Sequence, residues 1–302
     1  MTVSHNLRAI AMPLAMVVGA LFCHHVNALE AMTGNRIAPS MIFLMLFFTC
    51  CRVDMRRMRF TTLYLWLLTI QLAGSLAVLF ALSHIDVVVA QGAMVCVLAP
   101  IAMAAVVIGG MLGANIEIMA VYTLVCHVIT AFAAPFVLRV AGGGDCSLGM
   151  ILSKVAPLLV MPFIAGQFCR IVLKPVGRWV ENHSYLSFYI WLVSLVVIIG
   201  RTTAFIMAQG SGCLVQEIVL ALVSLIICLA QFAVGHWLGR KYGDRAAGGQ
   251  MLGQKNTVLA VWMAQTFLNP VSSVAPTAYI VWQNIVNSWQ LYRAEQKKGK
   301  DL

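Results

Sequence analysis

The chain has 302 residues, of which 61% are hydrophobic and only 10% charged, and its mean hydropathy is +0.91. No water-soluble domain of that length is so apolar, so the composition excludes a soluble enzyme or binding module and describes a multi-span membrane protein. A formal net charge of +10 would suit a nucleic-acid binder, yet the basic residues follow the loops between apolar runs. They read as topology, so the lipid bilayer is the expected partner and nucleic acid is not.

Apolar runs lie at about 7–27, 37–51, 61–83, 88–112, 117–140, 148–169, 185–208, 214–238, 249–268 and 274–292. At roughly 20 residues per span these make ten spans. All are expected to be helical, because in lipid every backbone group must be satisfied internally. No signal-peptide cleavage pattern precedes the first run, which is expected to remain as a span. Arg8, Arg52, Arg56, Arg57, Arg59, Arg170, Lys174, Arg178, Arg240, Lys241, Arg245, Arg293, Lys297, Lys298 and Lys300, fifteen of the twenty Lys and Arg, fall on one side. The opposite loops hold mainly His24, His25, Glu30, Arg36, His84, Asp86, Gly142 to Asp145 and Gly210 to Gly212. By the positive-inside rule both termini are cytoplasmic, in the cytoplasmic (inner) membrane.

Two spans are interrupted. The fourth carries Ala99-Pro100 at mid-depth, where proline removes a helix hydrogen bond and crowds the preceding turn, and Gly109, Gly110 and Gly113 follow. The ninth carries Gly248, Gly249 and Gly253 with Lys255 just beyond. Each is the fourth span of a set of five, about 7–140 and 148–292. Five is odd, so the two sets would lie in opposite orientation. Matched interruptions in inverted repeats point to a transporter site where the broken helices cross at mid-membrane.

The ninth span opens Gly248-Gly249-Gln250-Met251-Leu252-Gly253-Gln254-Lys255-Asn256-Thr257, placing a cation among amides where lipid favours apolar groups. A charge at that depth costs from about 3 to more than 10 kcal/mol, so it faces a cavity or a partner; the rival reading is that Lys255 snorkels to the nearer interface. Gln71, Gln283 and Asn284 are further intramembrane amides, and Lys154 and Arg201 read as snorkelling outward. His127 is a candidate proton relay, or a neutral histidine hydrogen-bonded between helices. Glu117 and Glu217 begin spans, where a carboxylate suits the helix dipole.

The nine cysteines lack ligand spacing and read as small core residues; Cys146 and Cys213 fall in loops placed outside, where a disulfide is compatible but not required. No HExxH, GxSxG or Walker A pattern and no intramembrane aspartate pair is present, so the chain is read as no enzyme, with no metal site and no cofactor beyond sodium or a proton as coupling ion.

Gly92 to Pro100, continuing through Gly113-Ala114-Asn115 to Ala134-Pro135, and Gly253-Gln254-Lys255-Asn256 through Phe267, Pro270, Pro276 and Trp282-Gln283-Asn284, resemble the fourth and fifth and the ninth and tenth helices of the bile acid:sodium symporter family. That family belongs to the superfamily of auxin-efflux and arsenite carriers. The resemblance implies a core of spans 3–5 and 8–10 moving against a panel of spans 1, 2, 6 and 7. It also implies two sodium ions behind the crossing and an organic anion in front. Carried over by position, the first sodium site is dismantled: a Ser-Asn pair is Ala105-Val106, a serine is Met119, a glutamate is Gln250, and only Thr123 remains. At the second, Gln71 and Gln254 persist, but the following asparagine is Lys255.

A lysine ammonium there would be a tethered cation that repels sodium. The expectation is therefore a secondary transporter of a bile-acid-like or small carboxylate or sulfonate anion, working by alternating access without sodium. Gln254, Lys255, Asn256, Gln283 and Asn284 would bind substrate, and Gln71, Thr123, Gln250, Gln254 and Lys255 would stand at the coupling-ion positions. The alternatives are a sodium-coupled symporter with rebuilt ion sites and a non-transporting sensor on the same scaffold. Substrate identity, direction and oligomeric state are left open.

Overall fold

The computed structural model describes residues 5–34, 36–52, 60–142, 148–183, 185–209 and 214–298. The loop residues Arg56, Arg57, Arg59, Asp145, Cys146, Gly210, Gly212, Cys213 and Lys300 lie outside them, as do the side chains of Arg8, Arg52, Lys154, Lys297 and Lys298. The expectations placed on those residues concern parts not described.

The chain is all-helical among the described residues. In order come α1 (His5–Leu21), α2 (Cys23–Met32), α3 (Ile37–Arg52), α4 (Thr62–Ser83), α5 (Val87–Leu98), α6 (Ala104–Met111) and α7 (Ile116–Val140). Then follow α8 (Leu148–Ile171), α9 (Lys174–Asn182), α10 (Leu186–Gln209), α11 (Leu214–Lys241), α12 (Arg245–Gly253), α13 (Thr257–Phe267), a 3-10 turn at Pro270–Ser273, and α14 (Val274–Lys298). Among the described residues, four segments are long and apolar enough to cross a bilayer unaided: α4, α7, Phe188–Phe205 of α10, and α11. A fifth is gained if α1 and α2, bent by 77°, count as one. The half-helices of the interrupted segments are individually too short for that length criterion.

Three features depart from the sequence reading. The first apolar run is bent at Phe22, where neither proline nor glycine stands to announce it. The basic connection after the sixth run is not a bare loop: Lys174–Asn182 is a helix, with Gly177 and Val180 buried and Lys174, Arg178 and Trp179 exposed. Arg201 does not simply reach for water, because its guanidinium lies 3.6 Å from the carboxylate of Glu30, which is fully buried in α2.

The two interrupted segments are built alike. Asp86 caps α5, accepting from Val88 N (2.7 Å) and Val89 N (3.0 Å); Asp244 caps α12, accepting from Ala247 N (2.8 Å). Asn115 caps α7 after the first, and Asn269 caps the 3-10 turn after the second. Such oxygens satisfy the orphan N–H groups of a helix start. Asp244 also accepts from Asn115 N at 2.8 Å, which ties the α6–α7 and α11–α12 turns together.

The glycines of the ninth run have a different task from the one expected. They lie within α12, and the interruption follows at Gln254 to Asn256. A Cβ on Gly248 would strike Gly235 O and the Gly239 backbone, so the glycines let α12 lie against α11. Helices α4 to α7 pack with α11 to α14; α3 packs with α8, α9 and α10, α8 with α9, and α10 with α1 and α2, while α1 also meets α14.

Candidate functional site

The first interruption arises at a residue that cannot continue a helix, whereas the second falls where no proline stands. Pro100 has no N–H, and α5 ends at Leu98 with Ala99 extended (φ −50°, ψ 136°). Gln254 ends α12 in an extended conformation (φ −90°, ψ 103°). The two freed stretches satisfy each other: Ala102 N donates to Gln254 O and Asn256 N to Pro100 O, both at 2.8 Å, around an antiparallel bridge between Ile101 and Lys255. Buried backbone groups demand such partners, and a two-residue ladder supplies them where helix bonding stops.

Behind the ladder lies the side chain of Lys255, 1% exposed, its Nζ donating to Val97 O at 3.0 Å near the C-terminal end of α5. That end carries the negative pole of the helix and unpaired carbonyls, which suits a cation. Gln71 Nε2 donates to the next carbonyl, Leu98 O (2.8 Å), and to Thr130 Oγ1 (2.9 Å), and Cys126 Sγ lies 3.4 Å from Gln71 Oε1.

In front of the ladder is a cavity of about 60 Å³. Ala102, Met103, Ala104, Gln254, Asn256, Thr257, Gln283 and Asn284 line one side, and Met45, Trp191 and Ser194 of α3 and α10 the other. Asn256 Oδ1 caps α13 through Leu259 N (3.2 Å), whereas α6 begins at Met103 without a side-chain cap. Gln283 Oε1 accepts from Lys255 N (2.9 Å). Asn284 Nδ2 donates to Ile280 O (2.7 Å), while its Oδ1 is buried without a partner among the described residues.

The residues expected from the sequence therefore fall into three groups. Gln254, Asn256, Gln283 and Asn284 converge on the cavity with Lys255. Gln71 and the Lys255 ammonium are at the rear. Gln250 does not line the cavity; its Nε2 donates to Asn287 Oδ1 and Gln290 Oε1, each at 3.0 Å. Thr123 Oγ1 bonds Met119 O within its own helix (2.8 Å). His127 Nδ1 bonds Thr123 O (2.8 Å), and among the described residues its Nε2 is buried without a partner, so His127 stands apart from the crossing.

Sequence reasoning missed Asn287, Gln290, Gln231 and Tyr279. Gln231 bonds Cys96 O (3.3 Å) and Tyr279 OH (3.1 Å), and that hydroxyl donates to Gly253 O (2.8 Å). The signal was present in α14, where Gln283, Asn287 and Gln290 recur at the spacing of one helix face.

Two interrupted helices bonded to each other at their breaks, beside a mainly apolar cavity edged with amides in an apolar helical protein, are the build of a membrane transporter. The chain belongs to the SBF-like CPA transporter family, whose sequence model matches residues 9–286. This bears out the resemblance to bile acid:sodium symporters drawn from the sequence. No match to a curated protein was found.

Proposed function

We propose that the protein is a secondary transporter of a small organic anion, a carboxylate or sulfonate, working by alternating access without sodium. The observation that carries this reading is the position of Lys255, whose ammonium is bonded to Val97 O directly behind the crossing. A fixed cation there neutralises the α5 carbonyl end and repels a second cation. In front, the uncapped start of α6 and the amides of Gln254, Asn256, Gln283 and Asn284 offer donors without a competing carboxylate. The cavity volume of about 60 Å³ is far below the roughly 300–1,000 Å³ of sites for drug-sized ligands, which favours a small anion over a bile-acid-like one in this conformation.

In this reading the chain makes ten spans with both termini cytoplasmic. The two interrupted segments belong to inverted repeats, as the Asp-capped, broken, Asn-capped construction of each supports. Helices α4 to α7 and α11 to α14 form the moving core, and α1 to α3 with α8 to α10 form the panel. The cavity falls between them.

The test is uptake and counterflow of labelled organic acids by purified protein in liposomes, with and without a sodium gradient, at two pH values. Saturable flux indifferent to sodium supports the reading. Flux that requires sodium replaces it with a symporter whose ion sites are rebuilt, and ligand binding without flux replaces it with a sensor.

A further inference from the structure

A chain of buried amides runs from the crossing to His236, a histidine near the end of α11 that bears Arg240 and Lys241. Asn287 Nδ2 donates to Gln254 Oε1 (2.5 Å), Gln250 Nε2 donates to Asn287 Oδ1 and Gln290 Oε1 (both 3.0 Å), and Gln290 Nε2 lies 3.2 Å from His236 Nε2. At the far side of the ring, His236 Nδ1 is 2.9 Å from Arg245 O. A carbonyl accepts only from a protonated ring nitrogen, so Nδ1 carries the proton. Nε2 then offers a lone pair, and Gln290 points its NH₂ at it. The imidazole is neutral, and the direction of every bond in the chain follows from that.

The chain has a second setting. If His236 gains a proton on Nε2, that nitrogen becomes a donor and Gln290 must turn its oxygen toward it. Gln290 Nε2 then faces Gln250, which must present Oε1, buried in the first setting without a partner among the described residues. Asn287 must in turn give Nδ2 to Gln250 and Oδ1 to Gln254. The two settings hold the same number of bonds and leave one end of Gln250 unmatched in each. A mixed setting would put two NH₂ groups or two oxygens face to face, which is costly when buried. The chain therefore switches as a unit.

Gln254 is where the switch meets the cavity. With Oε1 taken by Asn287, the group it has left for the cavity it lines is its NH₂, a donor suited to an anion. In the second setting it offers a carbonyl oxygen instead.

We propose that His236 is the proton site of this transporter, and that the Gln290–Gln250–Asn287–Gln254 amides convey its charge state to the anion cavity, making proton and anion mutually exclusive occupants. This rests on the reading of the cavity as an anion site and assigns its coupling: exchange of anion against proton rather than their co-transport. The groups around the imidazole leave the amide chain as its variable partner. From α12 come Arg245 and Gly249, whose missing Cβ makes room for the ring. From α14 comes Gln290, with Arg293 a turn beyond stacked on Trp289 at 4.3 Å. On α11 itself, Phe232 is 6.3 Å away, Arg240 follows one turn later, and Lys241 lies over Trp237 at 3.7 Å. Helices α4 and α5, which also pack on α11, carry no charged residue.

Two measurements on the protein in nanodiscs test this. Infrared difference spectra between about pH 8 and pH 4.5, from well above to well below the ordinary histidine value, with glutamine labelled at its side-chain carbonyl, should show those bands shifting together with imidazole protonation. The shift should vanish in His236→Phe and in His236→Gln and shrink in Asn287→Leu. Bands that stay fixed while the histidines titrate, or that still shift in both His236 variants, overturn the relay. In the second measurement, binding of labelled pyruvate should weaken by up to about tenfold per pH unit on acidification, the limit for one linked proton, and become flat in His236→Gln. Pyruvate binding whose pH dependence survives His236→Gln also overturns the relay. If neither pyruvate nor larger carboxylates bind while the amide bands still shift, the relay is supported and the anion reading fails.

Discussion

Ile101 and Lys255, 154 positions apart by their numbers, form the antiparallel bridge through which two broken helices share their unpaired backbone groups. The pairing fixes Lys255 by its main chain, since its N–H is held by Gln283 as well, and leaves the side chain free to reach back to Val97 O.

The ammonium is therefore expected to matter more for transport than for folding. Replacing Lys255 by Met keeps an unbranched stem of similar size and removes a buried charge, a change that is often neutral or stabilising. Organic-acid counterflow should fall by at least about tenfold while the melting temperature stays level or rises. Flux persisting in Lys255→Met would sink the fixed-cation account. In Lys255→Asn combined with Gln250→Glu, sodium should raise the melting temperature, which it should not do in the parent protein.

Gly248 should be intolerant of a single methyl group. Its Cβ would meet Gly235 O and the Gly239 backbone, neither of which can rotate away, so Gly248→Ala should cost about 1–3 kcal/mol. A Cβ on Gly149 meets nothing within 4 Å among the described residues, so Gly149→Ala should change stability by less than about 0.5 kcal/mol. Paired thermal melts would decide it, and equal behaviour of the two variants would remove the close-packing argument.

Asp86 carries a pH-dependent contribution whose sign can be stated. The N–H of Val89 foremost holds its carboxyl below the usual carboxylate value; burial, the next influence, opposes it, and the Gln216 amide and Val88 N–H lower it further. A lowered value means that the stabilisation is complete above the unfolded carboxylate range near pH 4 and is lost as pH falls through the folded value. Asp86→Ala should thus cost about 1 kcal/mol at neutral pH, as loss of a helix cap does. The gap to the parent should close in strong acid. A gap independent of pH would show that the charge has no part in it.

Glu30 and Arg201 give a fourth test. Removing the guanidinium leaves a fully buried carboxylate with Ile37 N–H (3.2 Å) among its remaining contacts. Arg201→Gln should cost about 1–3 kcal/mol and Glu30→Gln less, with the double variant costing less than the sum. Strict additivity in melts of the three variants would argue against a working pair.

The sequence made some of this legible. Pro100 and the polar run from Gln250 to Asn256 located both breaks to within a few residues, because proline and buried polar groups leave few alternatives in an apolar helix. The bend at Phe22 and the Glu30–Arg201 pair were not legible, since both depend on how α2 meets α10 rather than on local pattern. The glycines of α12 were visible but misread as the break itself. A glycine that loosens a helix and one that admits a neighbour look the same until the neighbour is known. The amide chain was half seen: Gln250, Gln254 and Gln283 stood out, whereas Asn287, Gln290 and His236 gain meaning only across three helices.

The main-chain ladder at the crossing bears on how this family can diversify. Gln254 O, Lys255 N, Lys255 O and Asn256 N are all engaged by protein partners. Under the proposed reading the cargo therefore meets side chains rather than peptide groups at these positions, so the scaffold stays constant while the clientele changes. In the proposed reading Asn284, whose amide bonds only within its own helix, is the position at which a single change retunes what is carried while the ladder keeps its bonds.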